Sequence, residues 1–243
     1  MQKIILSPPF SNLINIQGTS RILGSYTVDS RPGLWRNITT LRPSVGGWYN
    51  KVGLKNPGIK SFDRPGIVSL AGFSLSDFEY MIEYLAYNPK VEAIEFNISC
   101  PNASIVPIDS AVIELTNKYF GPPILKLPHN LEERYLLEFI DMGESILHIS
   151  NSKPTSRGAL SGKSLVETNL KTISNIKDIR SDVTIIGGGG IYDLDTLKRY
   201  MHAGADYFSI STVLLNPYKT YKLIKGYKVS LDQKDSRGNW LDC

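Results

Sequence analysis

The stretch "GIVSLAGFSLSDFEYMIEYLAYN" (66–88) decides the fold, because a buried strand and an amphipathic helix follow each other in it. Its first part, "GIVSLAG" (66–72), is a short apolar run, as in a strand that is covered on both faces. Its second part places apolar side chains at helical spacing on one stripe: Phe78, Met81, Ile82 and Leu85. The stretch therefore predicts a β-strand followed by a helix that packs against it.

The same strand–helix unit occurs six times after residue 65. Further strands are predicted at 92–99, 123–128, 145–150, 183–188 and 206–211, and further helices at 109–120, 130–143, 164–178, 193–204 and 216–226. Two more strands are predicted ahead of them, "LINIQG" (13–18) and "GSYTVD" (24–29). Eight strands that alternate with helices predict one (β/α)₈ barrel, a TIM barrel of the α/β class, over residues 1–243; a doubly wound sheet is the alternative.

Two segments do not follow this repeat. Residues 30–64 are rich in Pro, Gly, Trp and Asn and show no periodicity. Because loops of this length are usually functional or disordered, 30–64 is predicted to be a long active-site loop region. Residues 228–243 also lack periodicity and are predicted to form an irregular tail.

The composition excludes several classes of protein. The chain has 243 residues, 42% hydrophobic and 21% charged, with a net charge of +4 that is spread along the sequence, so no nucleic-acid surface is expected. No apolar stretch approaches the roughly 18–20 residues of a membrane span, and "MQKIILSPPFSNL" (1–13) is not a signal peptide. The two cysteines and three histidines show no metal-ligand spacing, so no metal is expected and each histidine is predicted to be structural. A cytoplasmic location with free thiols is also predicted, because no export signal is present and the cysteines form no pattern.

Polar residues and glycines follow four of the predicted strands. In TIM barrels the active site lies at the carboxyl ends of the strands. The segments at these ends are Asn97–Asn102, Lys126, Asn151–Ser152 and Gly187–Gly190. Their agreement in position predicts one site to which all four segments contribute.

Each segment suggests its own chemistry. The glycines of "IIGGGG" (185–190) let backbone amides approach an anion, and Ser211 and Thr212 after the next strand add hydroxyls, which predicts a phosphate site. Lys126 ends a buried strand, so it either extends its ammonium group to solvent or meets an anionic or electron-rich group of a ligand. Asn97 and Asn102 flank Cys100 with amides that suit a planar ligand with C=O and N–H groups. Spacing alone leaves open whether Cys100 is a nucleophile or a base.

Six stretches resemble the dihydroorotate dehydrogenase family in order and spacing. They are "NKVGLKNPG" (50–58), "NISCPN" (97–102), "LKLP" (125–128), "SNSKPTSRGALSG" (150–162), "GGGGI" (187–191) and "ISTVLL" (210–215). The cysteine of "NISCPN" resembles the soluble class 1 enzymes; the membrane-bound class carries serine there and an N-terminal helical extension that this sequence does not show. The resemblance implies a short, divergent, class 1-like member: an FMN-containing barrel that oxidises dihydroorotate to orotate in pyrimidine synthesis.

The resemblance also implies roles for individual residues. Cys100 is the base that takes the C5 proton while hydride leaves C6. Lys126 faces the N1/O2 edge of the flavin. The pyrimidine and its carboxylate are held by Asn50, Val52, Gly53, Leu54, Asn97, Asn102, Asn151 and Ser152. The residues placed with FMN are Gln17, Gly18, Ser69, Asn97, Lys126, Ser150, Gly162, Gly189, Gly190, Ser211 and Thr212.

The sequence departs from the family after the second predicted strand, where members carry a lysine in a T-K-[ST] setting. Here "YTVDSRPGLW" (26–35) contains no lysine, and Arg31 or Lys51 is the candidate to replace its charge. The alternatives are another FMN barrel acting on a dihydropyrimidine or on dihydrouridine, a flavin-free phosphate-binding barrel, and a non-catalytic barrel. The resemblance implies fumarate or an NAD-linked partner subunit as electron acceptor and a possible homodimer.

Overall fold

The computed structural model describes residues 1–33, 40–51, 53–98, 108–128, 137–138, 146–150 and 152–232. The strands of these residues are β1 (Ile4–Leu6), β2 (Ser20–Tyr26), β3 (Arg42–Ser44), β4 (Gly47–Asn50), β5 (Gly66–Leu70), β6 (Val91–Asn97), β7 (Ile124–Lys126), β8 (Ile146–Ile149), β9 (Lys153–Thr155), β10 (Gly158–Ser161), β11 (Ile185–Gly188) and β12 (Tyr207–Ile210). Their α-helices are α1 (Leu75–Leu85), α2 (Ser110–Phe120), α3 (Val166–Ile179), α4 (Leu194–His202) and α5 (Pro217–Asp232). Short 3₁₀ helices lie at Phe10–Asn12, Ile59–Ser61, Lys163–Leu165 and Thr212–Leu215.

Eight of these strands form a closed parallel barrel in the order β1-β12-β11-β8-β7-β6-β5-β2. The TIM-barrel prediction is therefore confirmed, and the closed sheet rules out the doubly wound alternative. Three of the helices begin at a side-chain cap: Ser74, Asp109 and Asp193 each accept the backbone N–H of the residue three positions further on. The apolar stripe of α1 is buried as predicted. These caps and stripes explain why the repeat was readable from the sequence.

The prediction for the first two barrel strands was wrong. Ile4–Leu6 forms β1, although it offers only three apolar residues, because each of them is buried between its neighbours β12 and β2. The predicted strand at 13–18 follows a 3₁₀ helix instead, and Leu13 in it is 56% exposed. The second strand covers Ser20–Tyr26 rather than 24–29, because Ile22 and Leu23 supply buried side chains on opposite faces of the barrel wall.

A second sheet lies in segments that were predicted to be loops. β3, β4, β10 and β9 form an antiparallel sheet in that order, so part of 30–64 pairs with part of the Ser/Gly-rich stretch after β8. Asn50 pairs with Ala159 in this sheet. These strands are only three or four residues long and include Gly and Pro, so they have no readable period. The pairing comes from tertiary contact between segments about a hundred residues apart.

The interior of the barrel is built in two layers. The lower layer is apolar and contains Ile5, Ile22, Ile67, Ile124 and Ile186. Because alternate residues of a strand face the same side, the next inward positions lie two residues nearer the carboxyl ends of the strands. Those positions are polar on six of the eight strands, where they carry Ser7, Ser69, Glu95, Lys126, His148 and Ser209, and they are Gly24 on β2 and Gly188 on β11. The mouth of the barrel thus rests on a polar layer that is itself supported by isoleucines.

Two other predictions concern the later helices and the tail. The last helix continues to Asp232, so residues 228–232 are helical rather than part of an irregular tail, and residues 233–243 lie outside the described chain. The predicted helix at 130–143 also lies outside the described residues, apart from the helical pair 137–138. Among the helices that the structure describes, none has the length and apolar character needed to cross a membrane.

Candidate active site

One cavity opens at the carboxyl ends of the barrel strands, beside the small sheet. The space between its atoms is about 1250 Å³, a volume that includes the part of the mouth open to solvent. Its lining combines the ends of the barrel strands with the inner side of the second sheet, including Trp48 and Asn50. The cavity is therefore the place where the predicted active-site segments meet.

One end of the cavity is formed by the glycine turn after β11. The carbonyl of Gly188 accepts from Asn169 Nδ2 at 2.7 Å and from the Tyr200 hydroxyl at 2.6 Å. The same hydroxyl lies 2.8 Å from the carbonyl of Gly189. Tyr200 is fully buried, and burial raises the pKa of its hydroxyl well above the usual value, so it stays a donor. α3 and α4 thus hold the carbonyls of the turn away from the cavity.

The backbone amides of this turn are available to a ligand. Gly189 and Gly190 both have positive φ, at 88° and 85°, and both line the cavity. Neither amide donates to a group of the described residues, although Gly190 is buried. A Cβ at Gly190 would lie 2.6 Å from the carbonyl oxygen of Gly162, so this position requires glycine. A buried N–H without a partner needs an acceptor, and a phosphate oxygen supplies one.

Ser211 and Thr212 lie next to this turn at the end of β12 and also line the cavity. The Ser211 hydroxyl donates to the carbonyl of Pro8 at 3.0 Å, which ties the end of β12 to the segment after β1. Gly162 approaches from the second sheet, with a φ of 119° and space for a Cβ closed by Gly47. Residues of three elements therefore meet at this end of the cavity: the turn after β11, the end of β12 and the second sheet.

The other side of the cavity carries amide side chains. Asn50 ends β4, and its Nδ2 donates to the Ala159 carbonyl at 3.2 Å. Asn97 ends β6, and its Nδ2 donates to Ser25 Oγ at 2.9 Å. Asn97 is only 7% exposed, yet its Oδ1 has no hydrogen-bond partner among the described residues. A buried acceptor of this kind predicts a ligand with an N–H or O–H group at this point.

The polar layer beneath the mouth contains a buried chain of three side chains. His148 Nδ1 lies 2.6 Å from Glu95 Oε2, and His148 Nε2 lies 2.6 Å from Ser150 Oγ. Glu95 and His148 are both 0% exposed, whereas Ser150 lines the cavity. Lys126 is on β7, between the strands of these two residues, and is in register with His148. A buried carboxylate thus reaches the cavity wall through one imidazole and one hydroxyl.

The charges in this chain follow from burial and from its neighbours. Burial raises the pKa of Glu95, but its interaction with His148 and the positive charge of Lys126 lower it more, so the pKa lies below the usual 4.5. Burial lowers the pKa of His148 below the usual 6.5, and Lys126 lowers it further against the opposing effect of Glu95. At neutral pH the pair is therefore an ionised carboxylate beside a neutral imidazole.

Most predicted site residues that fall on described chain come together in this cavity. They are Asn50, Gly53, Leu54, Asn97, Lys126, Ser150, Ser152, Gly162, Gly189, Gly190, Ser211 and Thr212. Ser69 does not line the cavity but lies below it, with its Oγ 2.9 Å from that of Ser25. Four predicted residues lie outside the described chain: Val52, Cys100, Asn102 and Asn151.

Gln17 and Gly18 were expected near the cofactor and do not reach the cavity. Gln17 lines an apolar groove beside α5, and Gly18 packs against Lys228 of the same helix. The expectation depended on 13–18 being the first barrel strand. Because β1 is Ile4–Leu6, its carboxyl end brings Ser7–Phe10 to the cavity instead, and 13–18 lies ahead of the amino end of β2.

Sequence reasoning also missed several cavity residues. Lys55 lines the cavity, whereas neither Arg31 nor Lys51, the two candidates for the missing family lysine, is among its lining residues. Arg31 packs over the Phe73 ring instead, at 5.0 Å. Ser25 reaches the cavity through a register shift between Gly24 and Tyr26. The signal for the polar layer was present in the sequence as polar residues two positions after inward isoleucines, as in Ser69 after Ile67 and Lys126 after Ile124. No group of three or more His, Cys, Asp or Glu suited to a metal occurs in the described part of the chain.

Comparison with known proteins finds relatives that share one name. No protein-family model matches the chain. It is 25% identical over 255 residues to dihydroorotate dehydrogenase A (fumarate) of Lactiplantibacillus plantarum, covering 87% of this chain and 81% of that one. It is 24% identical over 229 residues to the catalytic subunit of dihydroorotate dehydrogenase B (NAD(+)) of Oceanobacillus iheyensis, covering 77% and 73%.

A solved structure shares the fold. The ligand-free DHODH of Eimeria tenella superposes with a TM-score of 0.69 at 14% identity, covering 95% of this chain and 84% of that one. The chain is thus a divergent relative of proteins named dihydroorotate dehydrogenase, as its motifs indicated.

Proposed function

We propose that this protein is an FMN-dependent dihydroorotate dehydrogenase that oxidises dihydroorotate to orotate in pyrimidine synthesis. The observation that carries the proposal is that one cavity unites the glycine turn after β11 with the amide side chains at the ends of β4 and β6. A phosphate-binding barrel without flavin would explain the turn but would leave the amide side chains without a role. The similarity to enzymes of this name over most of the chain supports the same function.

The residues present fit FMN. The unpaired amides of Gly189 and Gly190, with Ser211 and Thr212, would hold the phosphate. Lys126 would face the electron-rich edge of the flavin, where its positive charge stabilises negative charge that accumulates on reduction. FMN, when bound, supplies the acceptor for the hydride that leaves C6 of dihydroorotate.

The remaining residues would bind and deprotonate the substrate. Asn50, Asn97 and Ser152 would contact the carbonyl and N–H groups of the pyrimidine, and the unpaired Oδ1 of Asn97 suits an N–H donor. We propose that Cys100, three residues after Asn97, takes the C5 proton as a thiolate. An unperturbed thiol pKa of about 8.5 needs only a modest shift to give a base suited to neutral pH. Loss of that proton and of the C6 hydride forms the C5–C6 double bond of orotate.

Lys55 is proposed to replace the lysine that family members carry after the second strand. It lines the same cavity from the segment after β4, so a cation reaches the ligand from a different element. The electron acceptor is fumarate or an NAD-linked partner subunit, because the two types of relative are named for these two acceptors. The enzyme is proposed to act in the cytoplasm, in line with the absence of metal or membrane signals in its sequence.

The decisive experiment is an anaerobic titration of the purified protein with L-dihydroorotate. We expect the protein to be yellow and its visible flavin absorbance to bleach as substrate is added. Cys100→Ala should still bind FMN but bleach far more slowly, because the C5 proton has lost its acceptor. Fumarate, or NAD with a partner subunit, should then restore the colour and identify the acceptor.

Two results would contradict the proposal in different ways. A yellow protein that dihydroorotate does not bleach keeps the flavin barrel and rejects the substrate, and dihydrouracil and dihydrouridine are the next substrates to test. A colourless protein that does not take up added FMN rejects the cofactor as well, and leaves a phosphate-binding barrel.

A further inference from the structure

The buried chain Glu95–His148–Ser150 is not needed to explain the fold, and none of the proposed catalytic steps uses Glu95 or His148. A fully buried carboxylate and imidazole are costly unless each stabilises the other. Glu95 on β6 and His148 on β8 both belong to the polar layer above the inward isoleucines. Ser150 occupies the next inward position after His148. The chain therefore runs upward from the barrel interior to the cavity wall.

The hydrogen bonds of this chain can run in three ways. If Glu95 is ionised and His148 is an imidazolium, both ring nitrogens donate and Ser150 accepts from Nε2–H. If Glu95 is ionised and His148 is neutral, His148 Nδ1–H donates to Glu95 and His148 Nε2 accepts from the Ser150 hydroxyl. The lone pairs of Ser150 then face the cavity. If Glu95 carries a proton, every bond reverses, and Ser150 offers its hydrogen to the cavity instead.

The surroundings select the arrangement with ionised Glu95 and neutral His148. Lys126 is the neighbouring cation on β7, and its charge favours the ionised carboxylate and disfavours a charged imidazole. The Ser69 hydroxyl adds a smaller stabilising contribution to ionised Glu95. Both effects lower the pKa of Glu95, while burial keeps His148 neutral. Among the described residues, the groups found to act on the pair are Lys126, Ser69 and Ser150.

We propose that Glu95 and His148 are positioning residues that fix Ser150 as a hydrogen-bond acceptor, so that this wall of the cavity selects a ligand group that donates an N–H or O–H. The inference rests on the proposed function only for the identity of the ligand. A flavin or pyrimidine ring has such donors in its imide N–H groups. A ligand edge made only of carbonyls would meet repulsion here.

A second chain of bonds gives the same polarity. Ser25 Oγ lies 2.9 Å from Ser69 Oγ, a contact in which either hydroxyl can donate. Asn97 Nδ2 donates to the same Ser25 Oγ at 2.9 Å, so its amide N–H group is directed to the barrel wall. The carbonyl oxygen Oδ1 of Asn97 remains unpaired for the cavity. Both chains thus end in acceptors at the mouth.

The direction can be measured on the full-length protein as purified. Nitrogen-15 NMR of the histidine side chains distinguishes the Nδ1–H tautomer from the Nε2–H tautomer and from imidazolium, and His148→Gln identifies the His148 signal. We expect a neutral Nδ1–H tautomer at neutral pH, and a mixture of tautomers in Glu95→Gln. An Nε2–H tautomer or an imidazolium in the wild type would overturn the proposal, and an unchanged tautomer in Glu95→Gln would remove Glu95 from it.

The consequence for binding is measured by titration with FMN, and with orotate for the FMN-loaded protein. We expect Ser150→Ala to weaken at least one of the two about tenfold, the usual effect of one lost hydrogen bond to a neutral group. His148→Leu should weaken the same ligand equally, and the double variant no more than either, because both remove one interaction. His148→Gln keeps one donor and one acceptor and should retain most of the affinity.

The outcomes separate this inference from the proposed function. Additive losses in the double variant, or unchanged affinity for both ligands in Ser150→Ala, would overturn the positioning role. If the wild type takes up no FMN, the proposed function fails, whereas the tautomer of His148 still decides the direction of the chain. If His148→Leu does not fold, Ser150→Ala and Glu95→Gln provide the same test with smaller changes.

Discussion

Stability should fall as the pH drops below about 6.5, because of His148. Its pKa lies below the usual 6.5 in the folded protein, mainly through burial, and returns to that value when the chain unfolds. The unfolded state therefore binds a proton that the folded state does not. The stability contribution is complete above pH 6.5 and is lost progressively as the pH falls toward the lower native pKa.

The magnitude follows from proton linkage. One proton changes the free energy of unfolding by about 1.4 kcal/mol per pH unit once the pH is well below the unfolded pKa. Integrated from neutral pH down to about pH 5, a single histidine that stays neutral in the folded state costs at most about 2 kcal/mol. Glu95 does not contribute in this window, because its native pKa lies below 4.5 and its own effect begins only at lower pH.

The assay is urea unfolding, followed by circular dichroism, at several pH values between about 8 and 5. The informative variant is His148→Gln, which retains a donor for Glu95 and an acceptor for Ser150 but cannot titrate. Its unfolding free energy should lose the pH dependence that His148 contributes. His202→Gln is the matched control, since His202 is exposed at the end of α4, and it should keep the wild-type dependence. Equal slopes for the wild type and His148→Gln between pH 6.5 and 5 would show that His148 is not a buried neutral group.

Three other predictions concern the cavity. Gly190→Ala should abolish FMN uptake and destabilise the fold by more than Gly121→Ala. Both glycines have positive φ, but a Cβ at Gly190 would meet the Gly162 carbonyl oxygen, whereas a Cβ at Gly121 meets nothing within 4 Å. Equal effects of the two variants in unfolding and FMN titration would refute the close approach of Gly190 to Gly162. Tyr200→Phe should cost about 1–3 kcal/mol of unfolding free energy and weaken FMN binding, because the carbonyls of the glycine turn lose their buried donor. An unchanged unfolding free energy and an unchanged FMN affinity would contradict this role of Tyr200. Lys55→Gln should weaken orotate or FMN binding about tenfold, the effect of losing one charged partner. Lys51→Gln is the control and should not weaken binding, because Lys51 does not line the cavity. Similar affinities for the two variants would reject Lys55 as the replacement cation.

The barrel could be predicted because its signals are local. α1 shows an apolar stripe of four residues, and Ser74, Asp109 and Asp193 cap three helices. Each strand–helix unit can therefore be recognised within about twenty residues of sequence. The site segments were also local, since polar residues and glycines stand directly after buried strands. Where a signal was shorter than one period, as in Ile4–Leu6, the prediction chose the wrong segment. The same error led to the prediction that Gln17 and Gly18 lie near the cofactor, although neither residue reaches the cavity.

The second sheet and the buried pair could not be predicted in the same way. β4 and β10 are held together by pairing between Asn50 and Ala159, which no periodicity within either segment reveals. Glu95 and His148 are 53 residues apart and meet only because β6 and β8 both border β7. A scattered histidine in the sequence is thus no guide to its partner. Long-range register, and not composition, decides these contacts.

The polar layer links the fold to the specificity of the site. In a barrel whose interior is apolar throughout, a ligand at the mouth would meet only the polar groups of the loops. Here the next inward position is polar or charged on six of the eight strands and glycine on β2 and β11, so the strands themselves carry the buried pair that contacts Ser150. Strand positions are held more precisely than loop positions, and loops can then vary without altering the hydrogen-bond polarity of the site.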